Sequence, residues 1–248
     1  MGRLWQKTWN ALNYMHGMLR LGSRHRLRSF KGIHKGRCFV IGNGPSLTTA
    51  DLRRLMELGE CTFACNSLIK LFGEIPFTPT YYFAQDNKII LDNKQEIADY
   101  KGTRFLKAHY ASRYHIKGVT YYNMLFPKRP IGFSNDISRV VYSGQTVTYS
   151  MIQFAAYMGF KEIYLIGVDC NYSAGNDVIT EKSYFNPRLF NNNRSYAPPE
   201  VDTNLLAYAR AREVCDKRGI KIYNATRGGK LEVFERADLD SVLDIKKQ

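Results

Sequence analysis

Four polar stretches stand where apolar runs stop. Gly42-Asn43-Gly44-Pro45-Ser46 follows residues 38–41, Asn66-Ser67 follows 61–65, Gln85-Asp86 follows 80–84, and Gly167-Val168-Asp169 follows 161–166. Glycine permits φ > 0 and, lacking Cβ, lets a ligand approach the backbone. Proline is tolerated at the start of a helix. The free N–H groups and dipole of a helix beginning at that turn favour an anion, typically phosphate. Asn43 adds an amide that can bond a sugar, a base or a phosphate, and Asp86 and Asp169 add carboxylates. The turn is not a dinucleotide fingerprint, because a third glycine would have to replace Leu47. It is not a Walker loop, because no Gly-Lys-Ser/Thr follows. The plain alternative is a tight turn that holds nothing.

The elements that must position these groups are short strands alternating with helices. Strands are expected over 38–41, 61–65, 80–84, 103–106, 161–166 and 220–223. Helices are expected over 46–59, 88–100, 143–159 and 202–219. Ser46 or Thr48 can cap the first helix, Leu47, Leu52, Leu55 and Leu58 supply its apolar side, and Gly59 stops it. Residues 107–140 are tyrosine-rich and poorly periodic. Residues 171–199 are polar and long enough to be a lid, punctuated by Tyr172, Tyr184 and Tyr196. The alternation predicts an α/β, Rossmann-like fold: a mainly parallel sheet flanked by helices, with a polar lid segment over about 171–200. In such sheets the ligand sits beyond the carboxyl ends of strands, near a topological switch point. The four polar stretches lie at such ends.

The 248 residues are 44% hydrophobic and 13% aromatic, enough for a real core. No stretch approaches the roughly 20 apolar residues of a membrane span, and no signal-peptide core is visible, so a cytoplasmic location is expected. Cys38, Cys61, Cys65, Cys170 and Cys215 show no zinc-ligand spacing and read as reduced, packed thiols. The net charge is +14, and residues 1–36 carry Arg3, Lys7, Arg20, Arg24, Arg26, Arg28, Lys31 and Lys35 with no acid. Trp5, Trp9, Leu12, His16 and Leu19 recur at helical spacing within that stretch. A basic amphipathic segment over 1–36 therefore precedes a single domain over 37–248. It suits an anionic inner membrane surface, reached peripherally from the cytoplasmic side. A helix docked on the protein's own body is the alternative. Nucleic acid is left out as a partner, because no known binding module appears.

The strings GNGPSL, CNSL, YSGQ, GFKEIYLIGVD and IYNATRGGKLEVF, in this order, resemble the MptE-like family over about residues 36–244. That family is similar to archaeal 6-hydroxymethylpterin diphosphokinases, to flagellin-modifying Maf proteins and to small bacterial sialyltransferases that use a CMP-sugar donor. The resemblance implies a nucleotide-sugar-binding domain. Gly42, Asn43, Gly44, Pro45 and Ser46 would line the nucleotide phosphate, and Asn66 would hold the donor. Gln85 or Asp86 would stand at a further strand end. Ser143 and Gly144 would face the cytidine and phosphate, and Gly167 and Asp169 the base and ribose. The histidine those sialyltransferases use before the last long helix is missing. The stretch reads SYAPPEVDTN, with Pro198 near the expected position, and no histidine follows His115. Asp169, Asp177, Glu181 and Glu200 are the candidate replacement bases, Asp169 first; His109 and His115 are further candidates, though each reads more readily as an ordinary surface or packing histidine.

The implied function is transfer of an acidic, sialic-acid-like sugar from CMP to a cell-surface glycan or glycolipid acceptor. No cofactor or metal is expected, since Asp238-Leu-Asp240 is an Asp-x-Asp only in the C-terminal tail. The alternatives are a pterin-type diphosphokinase, with Mg²⁺ on Asp86 and Asp169, and a non-catalytic nucleotide-sugar-binding protein. Arg227 and Lys230 are cations that could meet a phosphate or simply face solvent. The oligomeric state stays open, a homo-oligomer included.

Overall fold

In the computed structural model, which describes residues 23–108, 116–126, 130–171, 179–191 and 200–244, eight strands form one parallel sheet. They are β1 (Arg37–Ile41), β2 (Thr62–Cys65), β3 (Tyr81–Ala84), β4 (Thr103–Lys107), β5 (Thr120–Tyr122), β8 (Glu162–Ile166), β9 (Lys221–Asn224) and β10 (Glu235–Arg236). Their order is β10-β9-β8-β1-β2-β3-β4-β5. The two-residue strands β6 (Met124–Leu125) and β7 (Val141–Tyr142) pair in parallel apart from it.

Side chains alternate along each strand, so each strand feeds two cores. Cys38 and Val40 share one core with Phe63, Phe83, Phe105, Ile163 and Leu165. That face is covered by α5 (Val147–Met158) and α6 (Val201–Lys217). Phe39 and Ile41 face the other way, with Ala64, Tyr164 and Ile166. There they meet Leu52 and Leu55 of α2 (Thr49–Glu57) and Leu239, Val242 and Leu243 of α7 (Leu239–Asp244). A third cluster joins Tyr82, Ala84 and Leu106 to Ile90 and Ile97 of α3 (Asn87–Asp92) and α4 (Lys94–Asp99).

Several elements differ from the sequence expectation. The helix expected over 88–100 is two helices, broken at the buried Asn93 (φ −110°, ψ 26°). Its side-chain amide donates to the Ile89 carbonyl at 2.7 Å, the local competition with the helix ladder that asparagine offers. The poorly periodic 107–140 stretch contains β5 and β6, and β10 and α7 follow the strand expected at 220–223. Of the basic N-terminal segment, residues 1–22 lie outside the described residues. Residues 23–36 pack on the body through α1 (Ser23–Ser29). Leu27 is fully buried, the Ser23 hydroxyl accepts from the Tyr121 amide, and Phe30 meets the Phe105 ring edge-on at 5.1 Å. Among the described residues no helix is long and apolar enough to cross a membrane.

Strand order runs outward from β1 through β2, β3, β4 and β5, and outward from β8 through β9 and β10. The topological switch point is therefore between β1 and β8. Their carboxyl ends carry Gly42-Asn43-Gly44 and Gly167-Val168-Asp169.

Candidate functional site

At the switch point the two loops lock to each other. The Gly42 amide donates to the Ile166 carbonyl at 2.8 Å, and the Gly44 amide to the Gly167 carbonyl at 2.9 Å. A Cβ on Gly42 would run into the Gly167 carbonyl, and one on Gly44 into the Asp169 carboxylate. The Ser46 amide and hydroxyl donate to Asp169 Oδ1 and Oδ2 at 3.2 and 2.9 Å. These glycines thus serve the approach of chain to chain, and their amides are already taken. Left-handed backbone falls on Gly167 (φ +64°), whereas Gly42 and Gly44 have no positive φ.

The start of α2, where the sequence led us to expect a phosphate cradle, is built differently from that expectation. Pro45 occupies the second position of a turn closed by the Leu47 amide on the Gly44 carbonyl, and the helix begins later, at Thr49. Thr48 caps it through a reciprocal box: its hydroxyl accepts from the Asp51 amide, and Asp51 accepts from the Thr48 amide. A carboxylate therefore already sits where an anion would bind. Arg227 pairs with Asp51 at 2.8 Å and with Asp240 at 3.2 Å, so its charge is engaged there. Lys230 donates through its backbone amide to the Asp169 carbonyl.

Beside the glycine turn opens a cavity of about 430 Å³. Of the residues singled out in sequence, Gly42, Asn43, Gly44, Pro45, Asn66, Gly167, Asp169 and Tyr184 line it. Much of the remaining wall comes from elsewhere: Thr146, Val147 and Thr148 at the start of α5, Asn204 and Tyr208 one turn apart on α6, and Lys182 and Ser183 on a short 3₁₀ turn (Glu181–Ser183). Asn204 and Tyr208 belong to an ordinary amphipathic pattern, which carries no mark of a ligand wall. The three described non-glycine residues in left-handed backbone are Asn66, Gln145 and Cys170. Asn66 and Cys170 line the cavity, and Gln145 immediately precedes Thr146 on its wall. Such strain gathers at functional sites.

The wall is polar and incompletely satisfied. Oδ1 of Asn43, Asn66 and Asn204 is buried without a partner. Asn43 is oriented by its own amide donating to the Cys65 carbonyl at 3.3 Å. Burial pushes the Asp169 carboxyl up, against the lowering effect of the two Ser46 bonds. Burial also pushes the Cys170 thiol up to about 11 and the Tyr208 phenol well up, so both are neutral. The neighbouring Thr146 and Thr148 hydroxyls act on the Tyr208 phenol in the opposite, lowering sense.

Other expected residues sit off this wall. Ser46 is turned to Asp169. Gln85 accepts from the Ser150 hydroxyl at 2.8 Å. Asp86 caps α3, accepting from the Lys88 and Ile89 amides. Ser143 is buried and accepts from the Gln145 amide, and Gly144 packs against Ala207 and the Tyr149 ring. Glu181 is exposed, and Glu200 is exposed and accepts from the Thr203 hydroxyl. Tyr172, Tyr196, Asp177, Pro198, His109 and His115 lie outside the described residues.

Two solved structures similar to this chain are of the sialyltransferase CstII from Campylobacter jejuni. One, with the substrate analogue cytidine-5'-monophosphate, is 17% identical, with TM-score 0.41, covering 84% of this chain and 87% of that one. The other, with the substrate analogue CMP-3FNeuAc, is 14% identical, with TM-score 0.44, covering 82% and 86%. No curated protein sequence matches the chain. A family model described as 6-hydroxymethylpterin diphosphokinase MptE-like matches residues 11–175. That span takes in residues 11–36 of the basic segment, the glycine turn, the start of α5 and Asp169, and the chain belongs to the MptE-like family.

Proposed function

We propose that this protein is a glycosyltransferase that moves an acidic, sialic-acid-like sugar from a CMP-sugar donor to a cell-surface glycan or glycolipid acceptor. One observation carries the reading. The cavity at the β1–β8 switch point is lined by Asn43, Asn66 and Asn204, each with a side-chain oxygen buried without a partner, beside the one carboxylate among the described lining residues, Asp169. Buried acceptors without donors are costly, and a ligand rich in N–H and O–H groups removes that cost. A nucleoside offers a ring amino group and ribose hydroxyls; a bare phosphate offers no comparable set.

In the transfer, the acceptor oxygen bonds the anomeric carbon while the bond from that carbon to the phosphate oxygen breaks. The electron pair leaves with CMP, and the acceptor proton goes to a base. Among the described residues Asp169 is the only carboxylate on the wall. Burial pushes its carboxyl up, the direction that makes a carboxylate a better base near neutrality. Its Ser46 bonds hold its orientation. Residues 1–36 would hold the enzyme at an anionic membrane surface near a lipid-linked acceptor.

The family's name favours a second reading, a pterin-type diphosphokinase. That chemistry needs Mg²⁺ held by carboxylates at the nucleotide phosphates. Its two candidate ligands do not meet: Asp169 lines the cavity, while Asp86 caps α3 away from it. Among the described residues no group of three His, Cys, Asp or Glu side chains converges. Of the two proposed ligands only Asp169 is left at the cavity among the described residues, so the diphosphokinase reading has less to rest on there.

A thermal-shift panel of CMP, CDP, UDP, GDP and ATP, each with and without Mg²⁺, tests the choice. CMP should raise the melting temperature without Mg²⁺. In turnover of CMP-sialic acid, Asp169→Asn should lose about 10²–10⁴-fold in rate with CMP binding retained. Stabilisation only by ATP with Mg²⁺ would overturn the transferase in favour of the kinase.

A further inference from the structure

Resting on the nucleotide reading, we infer that Lys182 is the phosphate ligand of the site, supplied by the lid rather than by the glycine turn. The groups that local chemistry points to first are taken. The Gly42 and Gly44 amides serve the β8 loop, the Ser46 amide serves Asp169, and the start of α2 is filled by Asp51 and Arg227. Among the described residues what remains on the cavity wall is one acid, Asp169, and one base, Lys182. Asp169 repels a phosphate. Among the described residues no carboxylate pairs with Lys182, whereas Arg54, Arg188, Arg227 and Arg236 each have an acidic partner.

The backbone places this lysine close to the turn. Its 3₁₀ turn is closed by the Ser183 amide on the Thr180 carbonyl at 3.0 Å and by the Thr180 amide on the Ser183 hydroxyl at 3.1 Å. Three residues on, the Phe185 amide donates to the Asn43 carbonyl at 3.1 Å. The lid is therefore tied to the glycine turn itself, and Lys182 rides on the tied segment. When the donor's bond breaks and the electron pair settles on the phosphate oxygen, an ammonium in this position offsets the added charge. The start of α5 on the same wall contributes in the same sense. The second, independent consequence is that the phosphate lies on the α5 side of the cavity and not at α2.

Calorimetric titration of CMP and of cytidine onto the parent, Lys182→Gln and Lys182→Arg decides it. The lysine is exposed, so the fold should survive, and melting temperature checks that. The glutamine variant should lose about tenfold in CMP affinity, the size of one charge-assisted hydrogen bond, with cytidine affinity unchanged. The arginine variant should stay near the parent. Unchanged CMP affinity overturns the assignment. So does a parallel loss for cytidine, which would mean that Lys182 only holds the lid or meets the ribose. A parent that binds neither CMP nor cytidine removes the nucleotide reading itself, and this inference with it.

Discussion

Where two backbones touch, a single methyl group decides whether the junction closes. A methyl on Gly42 meets the Gly167 carbonyl, a backbone atom that cannot swing aside, while β1 and β8 are held in register over Arg37–Ile41 and Glu162–Ile166. Gly42→Ala is therefore a folding lesion before it is a binding one. It should destabilise by about 2 kcal/mol or more, as overpacking of a dense junction does. Gly36 is the control: nothing lies within 4 Å of its would-be Cβ and its φ is not left-handed, so Gly36→Ala should stay within about 0.5 kcal/mol of the parent. Urea denaturation of the two variants measures the difference. Equal stability would mean that the loops do not approach as described. The same crowding explains Asp169. It is held by Ser46 in front and backed by Gly229, whose Cβ would strike its main chain, so its carboxylate has one orientation.

Two helices begin near the switch point, and their caps assign different tasks. Thr48 caps α2 away from the cavity wall, and Thr146 caps α5 on it, accepting from the Thr148 amide at 3.3 Å. Replacing either threonine by alanine should cost about 1 kcal/mol of stability through the lost cap. Only Thr146→Ala should also weaken CMP binding, because only α5 directs its first turn at the cavity. Denaturation and CMP titration on both variants separate the roles. Weaker binding in Thr48→Ala alone would return the phosphate to α2. The pairing of Arg227 with Asp51 sharpens the contrast, since it joins the turn after β9 to the start of α2 and leaves that helix end electrostatically satisfied.

At the scale of the whole molecule, the described bases of the N-terminal segment lie at the end of α5 away from the cavity. The Gly32 and His34 amides donate to the Tyr157 and Met158 carbonyls, so residues 30–36 run along the end of α5, about 18 Å from the start that lines the cavity. Arg28, Lys31 and Lys35 are exposed there. If this end meets an anionic surface, the acceptor must reach around the body to the cavity. Each base near such a surface contributes about 1 kcal/mol, weakened by salt. The full chain should float with anionic but not neutral liposomes at low salt, and Arg28→Gln, Lys31→Gln and Lys35→Gln together should reduce recovery. Equal recovery with both vesicle types would count against membrane attachment.

Local pattern was enough for the frame. The apolar runs ending in Gly42, Asn66, Gln85 and Gly167 place β1, β2, β3 and β8 and put polar groups at their carboxyl ends, because strand period and turn chemistry are written within a few residues. Strands β5, β6, β7 and β10 are two or three residues long, and the neighbours they pair with determine them more than their own period does. The cavity wall is non-local for the same reason. Asn43, Thr146, Lys182 and Asn204 come from four separate segments, and no window of sequence contains two of them. The sequence motif drew attention to the start of α2, whereas the cavity is lined by the start of α5. Gly-Asn-Gly-Pro-Ser has the local chemistry of an anion cradle, and Thr48-x-x-Asp51, read as a capping box, already hinted that the helix end would be filled from within. That Arg227 closes it, that Asp169 occupies the space above Gly44, and that α5 instead faces the cavity were decided only by the packing of β1 against β8. Backbone atoms there approach so closely that the glycine amides had to bond to protein.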